Sequence, residues 1–329
     1  MSVVSVLGDG AWGTALSLVL LKNGHDVTLW SAFEDYADTL KVKRENVKFL
    51  PGVPLPKELK ITSVARDALG ARVLVMAIPT KYMRVVLGRF SAAVDSRHVV
   101  VSVAKGIEHQ SRMRPTEIIA ELLAGVRTAV LCGPSHAEEV VKGLPAAVVA
   151  ASANATVAEG VQTLFANETF RVYSSSDVTG VELGAALKNV IAIAAGMCDG
   201  LKLGDNAKSA LLTRGVEEMS RLGGKMGAQR DTFFGLSGIG DLITTCSSPY
   251  GRNREVGIRL AGGERLKDIE ASTDAVAEGV LTARSVCELA GMHDVEMPIC
   301  REVYRVIYED KDPKAAARDL MTRLPRPEF

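Results

Sequence analysis

The feature that most restricts how this chain can fold is its start. Val3-Val4-Ser5-Val6-Leu7 is a short β-branched run, and it leads straight into Gly8-Asp9-Gly10-Ala11-Trp12-Gly13, which opens the helix-like Thr14-Ala15-Leu16-Ser17-Leu18-Val19-Leu20-Leu21. Three glycines in such a junction have separate physical jobs: a tight turn, close approach of backbone to a ligand, and close packing of helix on strand. The helix N-terminus then offers free amides and the positive end of its dipole to an anion. Alone, the GxGxxG spacing is a weak signal, because a purely structural turn also satisfies it. In this strand-turn-helix setting Gly8, Gly10 and Gly13 read as a dinucleotide-phosphate turn.

The rest of the first half repeats the alternation. Short β-like runs at Asp26 to Trp30, Arg72 to Ile78, His98 to Val103, Thr128 to Leu131, Ala146 to Ala150 and Arg171 to Tyr173 are separated by helix-like stretches, the pattern of a parallel sheet with helical crossovers. Runs such as Val73-Leu74-Val75-Met76-Ala77-Ile78 are apolar throughout, which suits strands covered on both faces. The expected fold class is therefore α/β, with an N-terminal Rossmann-type doubly wound sheet. Phe49-Leu50-Pro51-Gly52-Val53-Pro54-Leu55-Pro56 carries three prolines and reads as an irregular loop. After about Ser176, helix formers at helical spacing replace the β-like runs, and Asp177 is placed to cap a helix start. With 329 residues, two domains are expected: 1–176 for the dinucleotide and 177–329, all-α, for substrate and catalysis. A direct strand-to-helix junction predicts a rigid cleft between them, a common ligand site.

Composition excludes several classes. The 39 basic and 39 acidic side chains and 47% hydrophobic content lack the basic excess of a nucleic-acid binder and the polarity of a disordered chain. Cys132, Cys198, Cys246, Cys287 and Cys300 are odd in number, widely spaced and never in a CxxC, which argues for packed thiols in a reducing cytosol. No basic leader precedes Val3, and no apolar run reaches the length of a membrane span, so a cytoplasmic protein with a small-molecule partner is expected. No metal is expected, since neither HExxH nor an acidic cluster occurs.

Lys188 is the oddest charge. In the run Val181 to Gly196, read as a helix, its face carries Val181, Gly184, Ala185, Ile191, Ala192 and Ala195, with nothing charged among them. Such a lysine snorkels, pairs with a carboxylate, or sits desolvated in a cleft, and the last two make amines into general acids. The second strand should decide between NAD and NADP, and it ends Trp30-Ser31-Ala32-Phe33-Glu34-Asp35. No acid stands directly at its end and no arginine does either, so either cofactor fits, with a lean to NADP from nearby Lys41, Lys43 and Arg44.

Four further segments complete an ordered pattern: Ser102 to Glu108, Gly133-Pro134-Ser135-His136-Ala137, Gly184 to Asn189, and Gly238-Ile239-Gly240-Asp241-Leu242 followed by Gly251-Arg252-Asn253-Arg254. Together with the first turn and Glu278-Gly279, the chain resembles the bacterial NAD(P)-dependent glycerol-3-phosphate dehydrogenases over nearly its whole length. The resemblance implies interconversion of dihydroxyacetone phosphate and sn-glycerol 3-phosphate, supply of phospholipid precursors and a homodimer. It makes Lys188 the proton donor and acceptor, and Lys105, Gly133, Ser135, Asp241, Arg252 and Asn253 the substrate contacts. Ala11, Trp12, Lys105, Ala137, Arg252 and Glu278 become cofactor contacts. Two positions depart: Gly251 stands where serine is common, and Ala32 where relatives often carry arginine.

The chemistry agrees with those roles. A ketone that accepts hydride becomes an alkoxide-like oxygen and needs a proton donor within hydrogen-bond reach. For the reverse oxidation Lys188 must first be neutral, below the usual value of about 10.4. Lys105 and the apolar stripe push it down, while Asp241, if it faces Lys188, holds the proton and orients the amine. Arg252 suits a phosphate through its planar fork, and Asn253 would add a neutral donor, with Asn189 secondary. Two alternatives are a related two-domain reductase of a hydroxy acid or sugar acid, and a nicotinamide-binding sensor without turnover.

Overall fold

β-Branched runs followed by glycine or polar turns form the strands of the first half. The structure is a computed structural model that describes residues 1–272, 277–325, 327 and 328. Among the described residues the strands are β1 (Val3–Leu7), β2 (Asp26–Trp30), β3 (Glu45–Asn46), β4 (Leu50–Pro54), β5 (Lys60–Thr62), β6 (Val73–Met76), β7 (Val99–Ser102), β8 (Arg127–Cys132), β9 (Ala146–Ala151) and β10 (Phe170–Ser175). Every run expected from the sequence forms a strand. One sheet runs β10-β9-β8-β7-β6-β1-β2-β5, and β1 sits between β2 and β6 with Val4 opposite Val27 and Val73.

Alternate side chains of these strands enter two different cores, the physical meaning of a doubly wound sheet. Val4, Val6, Val27, Leu29, Val75 and Val101 pack with Leu16 and Leu20 of the helix Ala11–Lys22 and with Val161 and Phe165 of the helix Ala155–Phe165. Their neighbours Leu7, Trp30, Leu74, Met76 and Val100 pack instead with Met83, Leu87, Ile118 and Ile119 on the opposite face.

Three details correct the sequence reading. The sheet is not wholly parallel: β9 runs antiparallel to β8, with Leu131 opposite Ala150. Parallel pairing needs a crossover of about a dozen residues that is usually a helix, and between β8 and β9 only the four-residue helix Ala137–Val140 forms. The proline-rich stretch is not a plain loop, since Leu50–Pro54 pairs antiparallel with Glu45–Asn46 through a register shift. Prolines are tolerated because this is a two-stranded ribbon with open edges. The sequence reading also lacks β5, too short at three residues to show a period.

After β10 every described element is helical. The first of these helices, Val178–Gly200, begins after Asp177, whose Oδ1 accepts the Gly180 amide at 2.9 Å, an N-cap bond. By length and composition it could cross a membrane, and its most apolar stretch is wholly buried in the protein; it is a core helix. By compactness the chain forms two units, Met1–Lys105 with Met113–Glu182, and Gly106–Arg112 with Leu183–Phe329.

Candidate active site and dinucleotide turn

In the first unit the glycine turn is shaped by what its side chains would strike. Gly8 has φ +118°, and a Cβ there would lie 2.5 Å from the Ala77 carbonyl oxygen, while one on Gly13 would lie 2.0 Å from that of Gly8. Gly10 has nothing within 4 Å of the corresponding point. It precedes the helix Ala11–Lys22, whose first turn has no side-chain cap and no acidic residue. Uncapped amides facing open space, with glycine where a side chain would intrude, fit a pyrophosphate. Beside this turn Ala137 packs with Ala15 and Leu50, and Ala11 and Trp12 lie against the same cluster. Three residues distant in sequence are thereby brought together.

Asp9, inside the turn, is held from two sides. Its Oδ2 accepts the Ser31 hydroxyl at 2.6 Å and its backbone oxygen accepts the Asn46 side-chain amide at 2.7 Å. Burial raises the Asp9 pKa, while the Ser31 bond and the charge of Lys48 pull it back. Further along the sheet, Lys105 follows β7, and its Nζ donates to the Gly133 carbonyl at 2.9 Å; the Ser135 hydroxyl donates to the same oxygen at 2.9 Å. A Cβ on Gly133 would lie 2.8 Å from the Val148 Cα, so a glycine lets this loop lie on β9.

In the second unit Lys188 is 5% exposed, and its Nζ donates to Asp241 Oδ1 at 3.0 Å and to the Thr245 hydroxyl. Pairing with a carboxylate is therefore the fate this lysine takes, and it takes it under burial, with Asp241 2% and Thr245 5% exposed. Asp241 and Thr245 sit four apart on the helix Asp241–Ser247, hence on one face. Thr245 was not among the expected site residues; the i+4 spacing from Asp241 was its only trace. On the same helix, burial pushes the Cys246 thiol up to about 12, which leaves it un-ionised and a poor nucleophile.

The small residues around Lys188 prove to be packing surface. Ala185, Ala192 and Ala195 are wholly buried. A Cβ on Gly184 would lie 2.7 Å from the Ser237 oxygen, one on Gly196 2.0 Å from that of Arg254, and one on Gly257 2.0 Å from that of Ile193. The helices Val178–Gly200 and Arg252–Ala261 thus meet backbone to backbone. That close crossing brings Asn253 to Asn189: its Nδ2 donates to Asn189 Oδ1 at 2.9 Å, and its Oδ1 accepts the Gly279 amide at 3.0 Å. Gly279 is itself tight, with a would-be Cβ 2.6 Å from the Asn189 oxygen, and it holds Glu278 at the start of the helix Glu278–Met292.

The basic turn separates into two kinds of arginine. Arg254 Nε binds Asp199 Oδ2 at 2.6 Å, whereas Arg252, exposed at the first position of its helix, makes no ion pair among the described residues. A guanidinium at a helix N-terminus is suited to an anion. The residue before it, Gly251, would place a Cβ 2.5 Å from the Thr245 oxygen; glycine is what allows this turn to sit against the helix that serves Lys188.

Comparison with known proteins gives the family. Residues 3–158 match the N-terminal and residues 177–318 the C-terminal domain description of NAD-dependent glycerol-3-phosphate dehydrogenase. The chain belongs to this family. It is 46% identical over 324 residues to glycerol-3-phosphate dehydrogenase [NAD(P)+] of Agathobacter rectalis, covering 98% of this chain and 96% of the relative. A second such relative, from Fusobacterium nucleatum, is 44% identical, with 98% and 97% covered. The crystal structure of glycerol-3-phosphate dehydrogenase from Coxiella burnetii superposes with a TM-score of 0.94 at 37% identity, covering 98% of this chain and 99% of the other.

Proposed function

We propose that this protein interconverts dihydroxyacetone phosphate and sn-glycerol 3-phosphate with NAD(H) or NADP(H), using Lys188 as proton donor and acceptor. The observation that carries this reading is a buried lysine held by a carboxylate and a hydroxyl in a chain of this family. The bound nicotinamide supplies or accepts the hydride. Lys188 polarises the carbonyl oxygen and then protonates the oxyanion, work that suits a preorganised ammonium in a water-poor site. Asp241 and Thr245 fix the direction of Nζ, so less reorganisation is needed at the moment of proton transfer.

The phosphate belongs to Arg252, which makes no ion pair among the described residues, while Lys105, Gly133, Ser135 and Asn253 position the glycerol carbons. Ala11, Trp12, Ala137 and Glu278 hold the dinucleotide, with the pyrophosphate on Gly8, Gly10 and Gly13. The dinucleotide then belongs to a domain of residues 1–176, and substrate and catalysis to a helical domain of residues 177–329. A cytoplasmic homodimer that feeds phospholipid synthesis is the setting we infer.

The test is direct: mix the protein with dihydroxyacetone phosphate and either NADH or NADPH, and follow the reduced cofactor's absorbance. Oxidation that depends on the phosphorylated ketone is expected. No oxidation of either cofactor would overturn the reading, and oxidation driven by an unphosphorylated keto acid would move it to a hydroxy-acid reductase.

A further inference from the structure

β2 ends at Trp30 and no acid follows within the strand end; Glu34 and Asp35 are exposed in the first turn of the next helix, Glu34–Lys43. In dinucleotide folds the carboxylate that meets the adenosine ribose 2′-hydroxyl comes from that strand end, while an arginine there accommodates a 2′-phosphate. The 2.6 Å bond from Ser31 to Asp9 Oδ2 brings a carboxylate to the same place from a different direction, out of the glycine turn itself. Ser31 is buried and Asn46, which holds the Asp9 backbone, is also wholly buried, so the acid stands on fixed supports.

We propose that Asp9 selects the cofactor: its carboxylate accepts a ribose hydroxyl of NAD(H) and repels the 2′-phosphate of NADP(H), so the protein prefers NAD(H). A partly buried carboxylate is weakly screened, and its repulsion of a phosphate is correspondingly strong. Two cations stand near enough to favour the opposite outcome. Arg89 donates from Nη1 to the Ala32 carbonyl at 3.2 Å and lies over the Trp30 ring, so its fork is partly spent. Lys48 is exposed, and its charge favours the ionised form of Asp9. The inference rests on Gly8 to Gly13 holding the pyrophosphate.

Calorimetric titration of the full chain with NADH and, separately, NADPH tests it without relying on turnover. The native protein is expected to bind NADH at least ten times more tightly. Asp9→Asn keeps the size and a partner for Ser31 but removes the charge; it should bring the two affinities to within about threefold, chiefly by gaining NADPH. Arg89→Ala should leave the native ratio in place. Native affinity equal for the two, or higher for NADPH, overturns the proposal even if Asp9→Asn fails to fold. An unchanged ratio in a folded Asp9→Asn does so as well. Binding of neither cofactor to the native chain removes the pyrophosphate reading of the turn and this inference with it.

Discussion

Lys188 shows how much one residue can disclose and where it stops. Its apolar surroundings can be read from the run Val181 to Gly196, and they leave three fates; Asp241, 53 positions later, decides among them through a contact that spacing along one helix cannot reveal. A buried ion pair gives little net stability, but removing one partner strands the other and costs about 3–5 kcal/mol. Lys188→Ala alone would thus confuse folding with chemistry. The double variant Lys188→Ala, Asp241→Asn avoids the stranded charge, and we expect it to fold and bind dinucleotide while turnover falls about 100-fold or more, the scale of a lost general acid. A folded double variant with native kcat would return Lys188 to a structural role. Gly251 is a converse case. In the sequence it is only a position without a hydroxyl, whereas a Cβ there would lie 2.5 Å from the Thr245 oxygen, a close approach that the sequence does not display.

At the scale of elements, the long strands of the main sheet were legible because apolar runs covered on both faces stand out, and the antiparallel pairing of β8 with β9 was not, because direction depends on the connection and not on the strand. The glycines and alanines of Val178–Gly200 were visible as a stripe, yet their purpose, the close crossing with Arg252–Ala261, required the partner helix. Helix ends were less legible still. The helix Pro298–Tyr308 has no side-chain cap of its own; Glu218, from the distant helix Gly204–Lys225, accepts the Ile299 amide at 2.7 Å and the Cys300 amide at 3.2 Å. Burial pushes Glu218 up to about 7 from 4.5. For a carboxyl raised on folding, the native state holds the proton longer than the unfolded chain, so stability is lost as pH rises from the unfolded toward the folded value. Relative to Glu218→Gln, which cannot ionise, the native protein should lose melting temperature between about pH 4.5 and about pH 7, and the difference should level off above that. A difference independent of pH, measured by thermal melts of both proteins across this range, would show that Glu218 titrates alike in the folded and unfolded chains.

For the whole molecule, the order of the units along the chain is less simple than a single junction. Gly106–Arg112 belongs with the helical unit although it lies between stretches of the other, and nothing in its composition marks this. Its anchor is Ile107, 3% exposed within the core built from Leu187, Val190, Ile191 and Leu242; Arg112 adds an ion pair to Glu288 at 3.4 Å. A fragment of residues 177–329 therefore lacks a core side chain, and truncating a buried isoleucine to alanine typically costs about 2–5 kcal/mol. Two measurements follow from that one observation. Ile107→Ala in the full chain should lower the urea midpoint while the two cofactors' relative affinities stay as in the native protein. The fragment 177–329, compared with the same fragment carrying residues 100–113 joined through a flexible linker, should unfold at lower urea, since the linked segment can refill the position of Ile107. Equal midpoints for the two fragments, together with a native midpoint for Ile107→Ala, would mean that the helical core closes without this segment.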